Sequence, residues 1–199
     1  MGLQHSYTVL APLYDPLVQR ATQSARARSL ARLDGFEGSL LMPGFGTGLD
    51  LKFLPANAKI SALDLTPAML DRAKARAVDA NLTIDWHVAD AQALPFEDNQ
   101  FDAVVMHLIL AVVPQPILAL QEAARVLKPG GRLLILDKFL PQEAFAPIRR
   151  SLSPLIGLIA TRTDVVFETL LEQTPNLELI ENSAAAFGGW FRQIEALKK

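Results

Sequence analysis

Five short, largely apolar runs punctuate the chain, at Ser39–Met42, Lys59–Asp64, Leu82–Val88, Ala103–His107 and Arg132–Asp137. They are too brief for helices and lack strict alternation, as expected of strands buried on both faces. Between them the spacing turns helical. Leu17, Val18, Ala21, Ala25, Leu30 and Leu33 predict an amphipathic helix over 17–33 that stops near Gly35. A short helix is expected over Leu49–Leu54, ended by Pro55. Thr66-Pro67 reads as a capping hydroxyl followed by a first-turn proline, opening a helix to about Asp79. Pro116 opens another through Leu127, and Lys128-Pro129-Gly130-Gly131 ends it and leads into the fifth strand.

Strand and helix alternate this far, which implies right-handed crossovers and a parallel sheet covered on both faces. After Lys138 the rhythm changes. Helical stretches near Glu143–Ala160 and Asp164–Glu172 precede two strands, Leu177–Phe187 and Gly189–Leu197, joined by a tight Gly188-Gly189 turn. The expected fold is α/β: a Rossmann-like, doubly wound, mostly parallel seven-stranded sheet with an antiparallel C-terminal hairpin.

Composition narrows the function. A chain of 199 residues, 50% hydrophobic and 20% charged, reads as one globular domain over 1–199. A net charge of −2 argues against nucleic acid as the partner. Arg26, Arg28 and Arg32, and the pair Arg149 and Arg150, read as solvated helix faces. With no cysteine, thiol catalysis and disulfides are excluded. His5, His87 and His107 are scattered and offer no metal-ligand spacing, so no metal is expected. The N-terminus lacks the features of a secretory signal. No apolar run approaches the roughly 18 residues that a membrane span needs. The expected location is cytoplasmic.

The chemistry gathers at Gly44-Phe45-Gly46-Thr47-Gly48, directly after the first strand. Asp64 ends the second strand about 20 residues on, the spacing of a ribose-binding acid in nucleotide-binding units. The third glycine comes one position too early for the dinucleotide fingerprint, and Leu49 stands where that fingerprint wants glycine. No lysine follows Gly48 to reach a phosphate.

From here the chain resembles the class I S-adenosylmethionine-dependent methyltransferases. The matching pieces, in family order, are Gly44–Gly48, Leu63-Asp64-Leu65-Thr66-Pro67-Ala68-Met69-Leu70, Ala89-Asp90-Ala91, Leu94-Pro95-Phe96, Phe101-Asp102-Ala103-Val104-Val105 and Leu127-Lys128-Pro129-Gly130-Gly131. Tyr7 to Asp15 and Val112-Val113-Pro114-Gln115-Pro116 look most like the small bacterial phosphatidylethanolamine N-methyltransferases. The resemblance implies S-adenosylmethionine as cofactor. Gly44, Phe45, Gly46, Thr47 and Gly48 would pass under its methionine half, and Asp64 would take both ribose hydroxyls. Leu65 and Met69 would line the adenine pocket, Asp90 and Ala91 would meet the adenine edge, and Met106 and His107 would lie near the transferred methyl.

The resemblance also implies N- or O-methylation of a small acceptor, and the apolar residues Phe145, Ile148, Leu152, Leu155, Ile156, Leu158 and Ile159 suggest that it is hydrophobic or amphiphilic, lipid-like or quinone-like. His107, Tyr14 and Tyr7 are the candidate bases, the tyrosines doubling as lid residues. Residues 1–35 would form the lid and its helix, and 139–173 a helical roof over the acceptor. Two departures stand out: Met42 replaces the acid usual at the end of the first strand, and Ala111-Val112 replaces a frequent His-His pair. The missing acid keeps open a non-catalytic cofactor-binding protein of the same fold. A nicotinamide-dependent oxidoreductase is the more distant alternative.

Overall fold

The computed structural model describes residues 22–78, 82–140 and 165–199. The elements are α1 (22–30), β1 (Ser39–Pro43), β2 (Lys59–Asp64), α2 (Pro67–Ala77), β3 (Ile84–Val88), β4 (Phe101–His107), α3 (Pro116–Val126), β5 (Leu127–Lys138), α4 (Phe167–Glu172), β6 (Leu177–Ala186) and β7 (Phe191–Lys198). The seven strands order as β3-β2-β1-β4-β5-β7-β6, with β7 antiparallel to both of its neighbours. The rest pair in parallel. This is the expected α/β architecture.

Side-chain parity sorts the strands into two cores. Leu41, Val104, Met106, Leu133 and Ile135 face α3 and α4, while Leu40, Met42, Ala103, Val105 and Leu134 belong to the core beside α1 and α2. Because successive side chains alternate across a sheet, His107 shares the side of Ala103 and Val105. It therefore points toward α1.

The chain winds outward in both directions from β1 and β4, which makes their junction the topological switch point where such sheets hold ligands. Pairing there covers only Leu40 with Ala103 and Leu41 with Val104. Both strands run on past it, to Pro43 and His107. Their carboxyl ends flank a crevice.

The structure differs from expectation at several boundaries. Between β1 and β2 there is a single 3-10 turn, Leu51–Phe53, in place of a helix over Leu49–Leu54. The Thr66 hydroxyl makes no capping bond; the Met69 N–H goes to the Thr66 carbonyl at 3.0 Å, and the Thr66 N–H to the Asp64 carboxylate at 2.8 Å. β5 starts at Leu127, which pairs with Phe101 before the register jumps to Ala103 opposite Arg132. Residues 128–131 form the irregularity, with Gly130 at φ +74. Phe187–Gly189 is a 3-10 turn joining β6 to β7, so β6 stops at Ala186 and β7 begins at Phe191. The stretch near Glu143–Ala160 lies outside the described residues.

Candidate functional site

Gly44, Gly46 and Gly48 all hold φ in the left-handed region, at +68, +60 and +82. Side chains rarely adopt that backbone, yet the three positions differ in surroundings. A Cβ at Gly44 would stand 2.5 Å from Ile109 Cδ1, and one at Gly48 would stand 2.7 Å from Leu51 Cδ1 and 3.2 Å from Ala73. Those glycines let the loop touch the β4 loop and α2. At Gly46 the nearest such atom among the described residues is the Gly44 carbonyl oxygen at 4.0 Å. Among the described residues, nothing crowds that one glycine.

This contrast carries a prediction. Gly48→Ala is expected to destabilise the fold by about 1–3 kcal/mol through overpacking. Gly46→Ala should cost only the backbone strain, roughly 1–2 kcal/mol, while filling the space a ligand needs. Thermal melts and ligand titrations of the two variants separate the effects.

Phe45 and Thr47 turn their side chains inward. Phe45 meets Trp86 edge-on at 5.6 Å between ring centroids, and the Arg76 guanidinium donates to the Thr47 carbonyl and hydroxyl at 2.6 and 2.8 Å. The Phe45 N–H goes to the Leu63 carbonyl at 2.9 Å and the Phe45 carbonyl takes the Gly48 N–H at 3.3 Å, so the fold itself holds both ends of this turn.

Asp64 clamps this loop to the start of α2. One carboxylate oxygen accepts the Gly46 N–H at 2.9 Å and the other accepts the Thr66 N–H. A carboxylate offers about four lone-pair sites, so these two bonds leave acceptor capacity for a diol. Burial raises the Asp64 carboxyl above its ordinary range, and the N–H bonds pull the other way. Beside it, Leu65 and Val88 are 48% and 60% exposed, an unusual pair of open apolar side chains at strand ends. Met69 is half-buried and Ala91 buried. Asp90 accepts the Gln92 N–H at 2.9 Å and the Gln92 amide at 3.0 Å, and the Gln92 carbonyl takes the Gln115 N–H at 2.8 Å. Asp90 thus ties the β3 loop to the start of α3.

At the end of β4, Met106 is fully buried in the core facing α3. His107 is buried on the opposite side, its Nδ1 2.9 Å from Asp50 Oδ1 and its Nε2 2.9 Å from the Ser29 hydroxyl. Both ring nitrogens are thus engaged inside the core, one with a carboxylate and one with a hydroxyl. Asp50 also receives the Arg26 guanidinium at 2.5 Å, and Arg26 Nε donates to Thr22 at 3.0 Å. Burial alone would raise the Asp50 carboxyl, but Arg26 and His107 together hold it far below the usual carboxylate range. Arg26 is therefore a buried ion-pair partner and not a solvated helix face. Arg32 likewise pairs with Glu181 and Glu195.

The chain leaves β4 through Leu108, at φ +59, a strained value for leucine. That turn lays Ile109 over Gly44. Asp137 anchors the same loop from beneath, accepting the Ala111 N–H at 3.1 Å and its neighbour Lys138's N–H at 2.7 Å. Full burial pushes its carboxyl from 3.8 up to about 6, against the pull of those N–H bonds. The folded state then binds this proton more tightly than the unfolded chain. The resulting stability is complete below the unfolded value and is lost as pH rises through about 6. Urea melts should show wild type losing about 2 kcal/mol more than Asp137→Asn between roughly pH 4.5 and 7.

Met42 is 2% exposed within the α1-side core, so no charge stands at the end of β1. Tyr7 and Tyr14 lie outside the described residues. Among the described residues no cluster of His, Asp or Glu could hold a metal, and no helix is long and apolar enough to cross a membrane.

Sequence reading missed Arg26, Ser29, Asp50, Arg76, Ile109 and Asp137. One signal was available: Thr22, Ala25, Arg26, Ser29, Leu30 and Leu33 fall on one helical stripe, and all six are buried.

Comparison with known proteins accords with this geometry. Residues 41–135 match the family described as a methyltransferase domain. The chain is 29% identical over 182 residues to the phosphatidylethanolamine N-methyltransferase of Cereibacter sphaeroides, covering 90% of this chain and 89% of that protein. It is 39% identical over 139 residues to the ubiquinone/menaquinone biosynthesis C-methyltransferase of Dinoroseobacter shibae, covering 64% of this chain and 55% of that protein. The fold matches the crystal structure of a SAM-dependent methyltransferase from Thermotoga maritima with a TM-score of 0.72 at 21% identity, over 99% of this chain and 100% of the other.

Proposed function

We propose that the chain, whose residues 41–135 match a methyltransferase domain and which is 29% identical to a phosphatidylethanolamine N-methyltransferase over 90% of its length, is a class I S-adenosylmethionine-dependent methyltransferase that binds its cofactor where β1 and β4 part and methylates a small hydrophobic or amphiphilic acceptor on nitrogen or oxygen. The observation that carries this reading is the room that the described residues leave over Gly46, beside a carboxylate that keeps acceptor capacity. Asp64 takes the ribose hydroxyls, and the backbone of Gly44–Gly48 supports the methionine half. Leu65 and Met69 flank the adenine, with Asp90 and Ala91 along its edge.

The bound cofactor supplies a methyl group on an already electrophilic sulfonium, so the protein's main contribution is alignment. His107 serves that alignment by fixing the end of β4 to Asp50 and Ser29. Where the acceptor starts protonated, the base is His107, Tyr14 or Tyr7, in that order, and the tyrosines with the rest of residues 1–35 act as a lid. Residues 139–173 roof the acceptor. Acceptor chemistry follows the two relatives, one named for phosphatidylethanolamine and the other for quinone biosynthesis. Met42 favours one rival, a cofactor-binding protein without turnover. Calorimetric titration with S-adenosylmethionine, followed by a radiolabelled-methyl screen over lipid, quinol and amine acceptors, decides between them. Binding with transfer supports the enzyme, binding without transfer to any acceptor supports the rival, and absence of binding removes both.

A further inference from the structure

Lys138 closes β5 at the same carboxyl edge of the sheet as the β1–β4 crevice. His107 pairs with Leu136, so Lys138 lies two residues beyond it on the adjoining strand, about 8 Å from backbone to backbone. The glycine loop and Asp64 occupy the β1 and β2 side of β4. Lys138 occupies the β5 and β7 side.

The lysine is half-buried, and its ammonium sits 5.8 Å from the ring centroids of both Trp190 and Phe191. An ammonium carries three donors. Among the described residues none of the three reaches an acceptor. Lys198, at the opposite end of the sheet, spends its own on Asn99 Oδ1, the Arg125 carbonyl and the Leu127 carbonyl at 2.8, 3.0 and 2.7 Å.

The nearby charges are committed elsewhere. Asp137, next in sequence, is on the other side of the strand and fully buried beneath the β4 loop. Glu168 is held by Arg192 at 2.5 Å. Burial lowers the Lys138 pKa, with Asp137 opposing. The two rings offset part of the desolvation cost through cation–π attraction, but they supply no hydrogen-bond acceptor. An anion would fill that need.

We propose that Lys138 recognises an oxyanion, phosphate or carboxylate, carried on an apolar body that lies against Trp190, the exposed member of the two rings. Resting on the methyl-transfer reading, this makes the acceptor an anionic amphiphile. Its charged group is fixed at β5 while its nucleophile reaches back to the end of β4.

The test titrates dodecyl phosphate, dodecanoate and dodecyl maltoside, each below its micelle threshold, into the full chain by calorimetry. Titrations are run with and without saturating S-adenosylhomocysteine. Both anions should bind at least tenfold more tightly than the maltoside. Lys138→Gln should abolish that preference and Lys138→Arg retain it, with S-adenosylhomocysteine affinity unchanged in both. A further preference for phosphate over carboxylate identifies a phosphate ester, and parity identifies a general oxyanion site; either supports the assignment. Equal affinity for maltoside and anions in wild type, or an undiminished preference in Lys138→Gln, overturns it. Failure of S-adenosylhomocysteine to bind defeats the cofactor reading alone, because the titrations without it still decide the role of Lys138.

Discussion

Asp64→Ala is expected to weaken binding of S-adenosylmethionine more than tenfold. The substitution removes the acceptors proposed for two ribose hydroxyls, and charge-assisted bonds to a carboxylate are worth about 1.5–3 kcal/mol each. It also frees the Gly46 N–H and the Thr66 N–H, so part of the loss comes from a slackened loop. Adenosine separates the two contributions. It carries the ribose but no methionine, so Asp64→Ala should penalise adenosine and S-adenosylhomocysteine alike, whereas Gly46→Ala should penalise the homocysteine compound more.

Isothermal titration of the three proteins with both ligands makes the comparison. Since burial raises the Asp64 carboxyl, affinity should decline on acidification at a higher pH than an ordinary aspartate dictates. The protonated acid has lost acceptor capacity. A dissociation constant unchanged in Asp64→Ala removes the ribose assignment.

Asp50→Ala is expected to be the most damaging single change to the fold. It leaves the Arg26 guanidinium buried without its carboxylate and takes the partner from His107 Nδ1. Breaking a buried pair by removing one member costs about 3–5 kcal/mol, which for a domain of this size is roughly 6–20 °C in melting temperature. Asp50→Asn keeps the shape and one acceptor and should lose less.

The network joins three separate parts of the chain: α1 through Arg26 and Ser29, the turn after Gly48 through Asp50, and the end of β4 through His107. Damage should therefore reach cofactor binding too. Melting curves with and without S-adenosylhomocysteine test both effects. A melting temperature within about 2 °C of wild type in Asp50→Ala contradicts the account of this network.

The sheet was legible because burial on both faces imposes near-continuous apolar strands, and Leu40, Leu41, Val104, Val105 and Leu133–Leu136 have little other use. The glycine loop and Asp64 were legible because backbone conformation restricts the first to glycine and strand-end spacing places the second. Arg26, Asp50 and His107 were not. Their contacts span 24, 57 and 78 positions, and charge pairing across such distances leaves no local periodicity. Parity along β4 nevertheless assigns His107 to the α1 face, and the stripe from Thr22 to Leu33 sets Arg26 inside. Reading those two patterns together brings the pair close.

The turn chemistry failed for a related reason. Thr66 has the capping hydroxyl, but the Met69 N–H it would accept bonds the Thr66 carbonyl instead, so the local signal marked the helix start without its bonding.

The central claim is that Gly46 and Asp64 hold one adenosyl ligand between them. A crystal grown with S-adenosylhomocysteine tests it directly. The predicted map has both ribose hydroxyls on the Asp64 carboxylate and the homocysteine chain passing over Gly46. Density for the ligand away from the β1–β4 crevice, or an empty crevice at saturating ligand, contradicts it.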